Sequence, residues 1–169
     1  MSISRKTLAT TLFLTFTCLK TTACGTDDGA EAAPEVAADG LTQVPLIDGL
    51  RMKVPANAKP NRGAAGFYTD DKSWGVMIRK DSAADNMDAA KADAEEMMFT
   101  SWIASDATED GWVLTYESQS MDMDGNIKPA YAFEVVKTLE GAVYTCTGSL
   151  ADKSGLDAVV ESCKTLKRG

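Results

Sequence analysis

Residues 141–166 read GAVYTCTGSLADKSGLDAVVESCKTL, and two structural periods meet inside them. Val143–Thr147 follows the Glu140-Gly141 turn signal and is rich in β-branched and aromatic residues, so it reads as a strand. Gly148 to Asp152 is a connection. Beyond it Leu156, Val159, Val160, Cys163 and Leu166 recur at intervals of three and four, which makes one apolar stripe of a helix. Ser154, with Asp157 three residues later, resembles a capping box at the start of that helix. Cys163 therefore lies on the buried face of the helix, and Cys146 sits in the strand before it. The chain ends on a helix laid against a sheet.

Further upstream the strands come in runs. Tyr131, Phe133 and Val135 alternate, as do Trp112, Leu114 and Tyr116, with a turn at Asp122–Asn126 between them. Trp74, Val76 and Ile78 face one way and Gly75, Met77 and Arg79 the other, a pattern that suits a sheet with one buried face. Phe67-Tyr68 pairs with this run through a turn at Asp70–Ser73. Ahead of a loop at Ala56–Ala64, Leu46-Ile47, the turn pair Asp48-Gly49, and alternating Leu50, Met52 and Val54 make an opening hairpin ending at Pro55. Residues 82–105 change period. Met87, Ala90, Ala94, Met97 or Met98, and Ser101 or Trp102 form a stripe opposite Lys91, Asp93, Glu95 and Glu96. This predicts one long amphipathic helix, capped near Ser82 or Asp85, with its Met and Trp stripe packed on the sheet. The order of elements predicts an α+β domain: an antiparallel sheet of about six to seven strands covered by one long and one short C-terminal helix.

The other end of the chain carries an address. Arg5 and Lys6 precede the uncharged run Leu8–Leu19, and Thr21-Thr22-Ala23 stand before Cys24. Basic start, short apolar core and small-residue exit are the layout of a secretory leader, too short to span a bilayer. TTAC resembles the lipobox of bacterial lipoproteins, although Thr21 stands where that family usually has leucine. The resemblance implies cleavage before Cys24 and acylation of that cysteine. It also implies outer rather than inner membrane sorting, because Gly25 rather than Asp follows. Thr21 and Ala23 equally suit ordinary signal peptidase, which would release a secreted protein with a thiol at Cys24. The stretch 24–43 combines acids, small residues and Pro34 without an apolar face and reads as a tether. At about 5–6 Å × √n it would hold the domain roughly 25 Å from the lipid. The domain order is then leader 1–23, anchor and tether 24–43, and a single domain 44–169.

Charge and composition narrow the function. The chain of 169 residues carries a formal net charge of −8, and loss of the leader's Arg5, Lys6 and Lys20 takes it to about −11. That balance argues against nucleic acid and against adhesion to anionic headgroups, and leaves room for a cationic partner. Histidine is absent, which removes the commonest general base and transition-metal ligand. No G-x-S-x-G, S-x-x-K or P-loop pattern follows the leader, and no catalytic residue is assigned. With Cys18 in the leader and Cys24 at the anchor, Cys146 and Cys163 remain, and in an oxidising compartment a disulfide is the expected use. A two-thiol metal site lacks its further ligands.

One local cluster resembles a ligand site. Asp122, Asp124 and Asn126 have the spacing that starts an EF-hand loop, but Gly125 comes two places early and no Glu closes the loop. Met121 and Met123 offer soft sulfur to Cu(I) without a His or Cys nearby. A hairpin turn explains Asp124-Gly125 without an ion, so no metal and no cofactor are expected.

GLRMKVP at 49–55, YTCTG at 144–148 and VVESCKTLK at 159–167 give the domain an outline similar to the PsbP-like α+β domains of photosystem extrinsic subunits and related bacterial lipoproteins. The resemblance spans about residues 44–168, brings no catalytic residues, and implies a binding or assembly module. The expected function is a lipid-anchored, periplasm-facing binding or assembly-accessory domain with an envelope protein as partner. The alternative is a carboxylate-based envelope enzyme or an enzyme inhibitor. A groove lined by paired acids would favour the enzyme; an exposed apolar patch around Trp or Met would favour a protein partner.

Overall fold

The computed structural model describes residues 40–62, 65–81, 86–121 and 124–169. Residues 1–39, which hold the expected leader, Cys24 and most of the expected tether, lie outside the described residues. So do Ser82 and Asp85, named as helix caps, and Asp122 and Met123.

The opening hairpin forms as its sequence predicts. Strands β1 (Leu41–Pro45) and β2 (Leu50–Pro55) pair antiparallel around a tight turn at Ile47–Gly49. Asp48 and Gly49 hold φ of 54° and 69°, the left-handed pair that Asp-Gly tolerates. Leu41, Thr42 and Gln43 already pair with Pro55, Val54 and Lys53, so strand pairing includes three residues ahead of the sequence boundary at Val44. Leu50, Met52 and Val54 are buried. Alternation turns Arg51 and Lys53 to the outside.

The main sheet has seven strands: β3 (Lys59–Pro60), β4 (Gly66–Tyr68), β5 (Gly75–Asp81), β6 (Phe99–Thr108), β7 (Gly111–Met121), β8 (Ile127–Leu139) and β9 (Ala142–Leu150). Its spatial order is β3-β4-β5-β9-β8-β7-β6, with every pair antiparallel. Among the described residues there are two α-helices of nine residues each, α1 (Met87–Glu95) and α2 (Leu156–Lys164). The α+β class is therefore the fold of the chain. The opening hairpin does not join the main sheet. It forms a separate three-stranded sheet with β10 (Lys167–Arg168), which pairs with Arg51 and Leu50.

One face of the main sheet is the core. Ile78, Cys146 and Val135 stand opposite one another across three strands. They pack with Leu50 and Met52 of β2 and with Leu156, Val159 and Cys163 of α2. Cys146 and Cys163, both fully buried, form the disulfide with Cα atoms 5.9 Å apart. The α2 stripe read from sequence is the buried one. Its cap is not: α2 starts at Gly155 without a side-chain cap, because Asp152 accepts from Ser154 N–H in a preceding 3-10 turn. The expected Ser154–Asp157 box does not form.

The larger correction concerns residues 82–105. The helix is capped by Asn86, whose side chain accepts from Ala89 N–H at 2.9 Å, and it ends at Glu95. Met98 turns left-handed, with φ of 44°, and residues 99–108 then run as β6 beside β7. Phe99, Thr100, Trp102 and Ile103 favour a strand once a partner is there to pair with. Register shifts at Phe99/Ser101 and Trp102/Ala104 break the alternation, so the strand imitated a helical spacing. Met97 and Met98 are not core: they are 69% and 49% exposed.

Candidate functional site

The second face of the main sheet is only partly covered, and the gap is the candidate site. Alternation places Arg79, Thr145, Val136 and Trp112 in one row across β5, β9, β8 and β7. Glu134 and Tyr116 stand beside that row on β8 and β7. Helix α1 forms the wall with Ala90, Asp93 and Ala94, and Met97 just beyond it completes the groove. Ala90 and Ala94 are the buried residues of α1, and their small side chains bring the helix down onto the sheet.

An aromatic cluster fixes that position. Phe99, Trp102 and Tyr116 meet with ring centroids 4.8, 5.3 and 5.9 Å apart. Glu95 accepts from Trp102 Nε1 at 3.0 Å, and Lys91 Nζ lies 5.8 Å from the centre of the same ring. One turn of α1 thus grips Trp102 from two points.

The groove holds about 230 Å³. Enclosed small-molecule sites usually run from about 300 to 1,000 Å³, so this is space for a side chain or a short extended segment. It runs into a second depression of 460 Å³ that shares Met97 and Tyr116 and adds Met98, Ser118 and Gln119. Met77, 43% exposed, lies on the same sheet face two residues before Arg79. Burial, with the negative charge of Glu134 adding to it, raises the Tyr116 phenol above its ordinary value. Trp112 Nε1 is buried and meets no acceptor among the described residues, a condition that costs about 1–3 kcal/mol for an N–H group. Adaptable thioethers beside an aromatic floor, with a few polar groups of both signs, suit a peptide-like guest.

The residues singled out from sequence fare unevenly. Cys146 and Cys163 come together. Asp124 and Asn126 are exposed in the β7–β8 connection, where Gly125 is left-handed, while Asp122 lies outside the described residues. Among the described residues no group of three or more His, Cys, Asp or Glu is placed to hold a metal. Met121 is exposed at the end of β7, and Met123 is outside the description, as is Cys24. Sequence reasoning missed Asp93, Glu134 and the exposed methionines as parts of one groove. The available signal was the outward half of each alternating strand, where Arg79 had been placed.

Among the described residues no helix is long and apolar enough to cross a membrane. No family model matches the chain, and no curated protein matches it either. Among solved structures it is similar to the solution structure of cyanobacterial PsbP (CyanoP) from Synechocystis sp. PCC 6803, at 16% identity over 81% of this chain and 97% of that one, with a TM-score of 0.45. A TM-score below 0.5 does not define a common fold, so the α+β assignment stands on the strand pairing itself.

Proposed function

We propose that this chain is a non-catalytic binding or assembly-accessory domain of a bacterial cell envelope, tethered by a lipidated Cys24 and facing the periplasm. The observation that carries the binding role is the open groove between α1 and the main sheet, with exposed Met97 and Met98 beside Trp112 and Tyr116. An apolar rim on an acidic chain is what a protein partner reads. The partner is an envelope protein offering an extended segment, with a cationic side chain suited to Asp93 and Glu134. Nucleic acid is not the partner of so acidic a chain, and no cofactor enters the mechanism.

A photo-crosslinking residue at Met97, in cells with the anchor intact, tests this. One discrete adduct that Met98→Glu abolishes, and that a probe at Lys72 does not give, is the expected result. Equal adducts from both positions would end the groove reading. Mass spectrometry of the mature protein tests the anchor: acyl groups on Cys24 are expected, and Cys24→Ser should release the chain into the soluble periplasmic fraction.

The rival is a carboxylate-based enzyme, and its footing is that Asp93 and Glu134 line the same groove. Hydrolysis of an envelope glycan that Glu134→Gln abolishes without loss of the crosslink would establish it.

A further inference from the structure

On the other side of the main sheet, the chain gathers lysines against its own net charge. A cleft of about 330 Å³ between the small sheet and the end of α2 is lined by Lys53, Lys137, Lys164 and Lys167 with Gln43 and Thr165, and among the described residues no carboxylate lines it. The concentration is built by pairing. Gln43 and Lys53 are register partners in β1 and β2, and Lys167 is the partner of Arg51, so the outward residues of the three-stranded sheet are basic or neutral. Lys137 Nζ donates to the carbonyls of Lys164 and Leu166 at 3.0 and 3.1 Å and pairs with Asp110. That contact offsets the negative end of α2, which would otherwise repel an anion. Thr165 Oγ1 accepts from Lys53 N–H and donates to Ser162 O, so its hydroxyl is used inside the fold, and Lys164 and Lys167, with Lys53 beside them, give the cleft its positive charge. The pair Lys164–Glu161 is exposed on both sides and yields readily to a competing anion.

We propose that this cleft is a docking surface for the phosphate headgroups of anionic lipid in the bilayer to which the chain is tethered. The inference rests on the envelope-anchor reading for its setting. Three features favour a headgroup layer over another anion. Ammonium groups act as point charges toward phosphate. The basic face spans a sheet instead of closing around one ion. And the strand that builds it, β1, is the first described strand after Cys24, so the face belongs to the part of the domain nearest the anchor in sequence. Net charge predicted repulsion from such a surface, but at physiological salt charges are screened beyond about 8 Å, so the local face decides. Val136 lines the groove and Lys137 the cleft, and consecutive strand residues point to opposite faces. A domain resting on its lysines therefore turns the α1 groove away from the bilayer, toward a partner.

The test uses the Cys24→Ser chain, so its outcome does not depend on whether Cys24 is acylated. Flotation with vesicles of phosphatidylcholine alone is compared with an equal mixture of phosphatidylcholine and phosphatidylglycerol. The expected result is binding to the mixture alone, weakening as salt rises. The triple variant Lys53→Gln, Lys164→Gln, Lys167→Gln should lower the partition at least about tenfold, since each lysine near an anionic surface contributes a several-fold factor. Lys72→Gln, Lys128→Gln, Lys153→Gln makes the same change of net charge elsewhere and should leave the partition within about twofold. Circular dichroism melts of both variants establish that each is folded. No binding to anionic vesicles, or equal losses in the two triple variants, overturns the proposal. Perturbation of the cleft lysines by inorganic phosphate without vesicle binding also overturns it and makes the cleft a free-anion site.

Discussion

Helices α1 and α2 have the same length and lie on opposite faces of one sheet, yet they are held by different means. α2 buries Leu156, Val159, Val160, Ser162 and Cys163 and is bonded covalently to the central strand β9. α1 buries two alanines and is gripped at its rim by Trp102. Apolar burial contributes in proportion to area, and two methyl groups supply little of it. The α2 side is therefore the stable half of the domain, and the α1 side is the half with space to receive a guest. Elements that bind are commonly drawn from the less stable end of a fold.

The largest expected effect lies on the α2 side. Replacing Cys146 and Cys163 together with alanine should cost about 2–5 kcal/mol in denaturant melts, the usual loss for a native disulfide in a small secreted domain. Crosslinking at Met97, measured below the new melting point, should persist. If crosslinking and stability fall together, the two faces are not separable.

A matched pair of truncations sharpens the contrast. Leu156→Ala should cost about 2–5 kcal/mol, because a buried leucine leaves a cavity. Ala94→Gly in α1 should cost about 1 kcal/mol from backbone entropy and a lost methyl. Native-state hydrogen exchange should show α1 amides opening well below the global unfolding free energy and α2 amides close to it. Equal protection of the two helices would remove the distinction.

Tyr116 reports on the groove. Its phenol is raised first by burial and then by the charge of Glu134. A raised folded-state value adds stability that is complete below the unfolded tyrosine range and is lost as pH rises through the folded value. Glu134→Gln should therefore lower the pH of tyrosinate formation, followed by ultraviolet absorbance, while leaving it above that of free tyrosine.

The smallest effect belongs to the edge of the α2 side. Asp48 pairs with Lys80 at 3.0 Å, and the hydrogen bond and charge of Lys80, aided by Arg168 and Tyr144, hold its carboxyl below the ordinary 3.8. Its contribution is present above the unfolded value and is lost as pH falls through the folded one. Asp48→Asn should flatten the acid limb of stability against pH without changing the groove. An unchanged limb would show that the pair is solvated in solution.

The sequence by itself determined the α+β class, the core faces of β2, β5, β8 and α2, the Asp48-Gly49 and Glu140-Gly141 turns, and the disulfide, whereas the alternating Trp112 and Tyr116 of β7 line the groove and Val113 between them joins the core. These follow from local rules, since alternation, helical stripes and turn residues are written in adjacent positions. Tertiary structure decided the rest. Residues 99–108 became a strand because β7 offered a partner, and two bulges hid the strand's period. The opening hairpin left the main sheet because β10, more than a hundred residues away, closed a second one. The groove and the lysine cleft draw their residues from β1 to β10, and no local pattern records which outward side chains long-range pairing will bring together. Net charge is silent on this for the same reason: it sums over the chain, whereas an approaching surface meets only the face turned toward it.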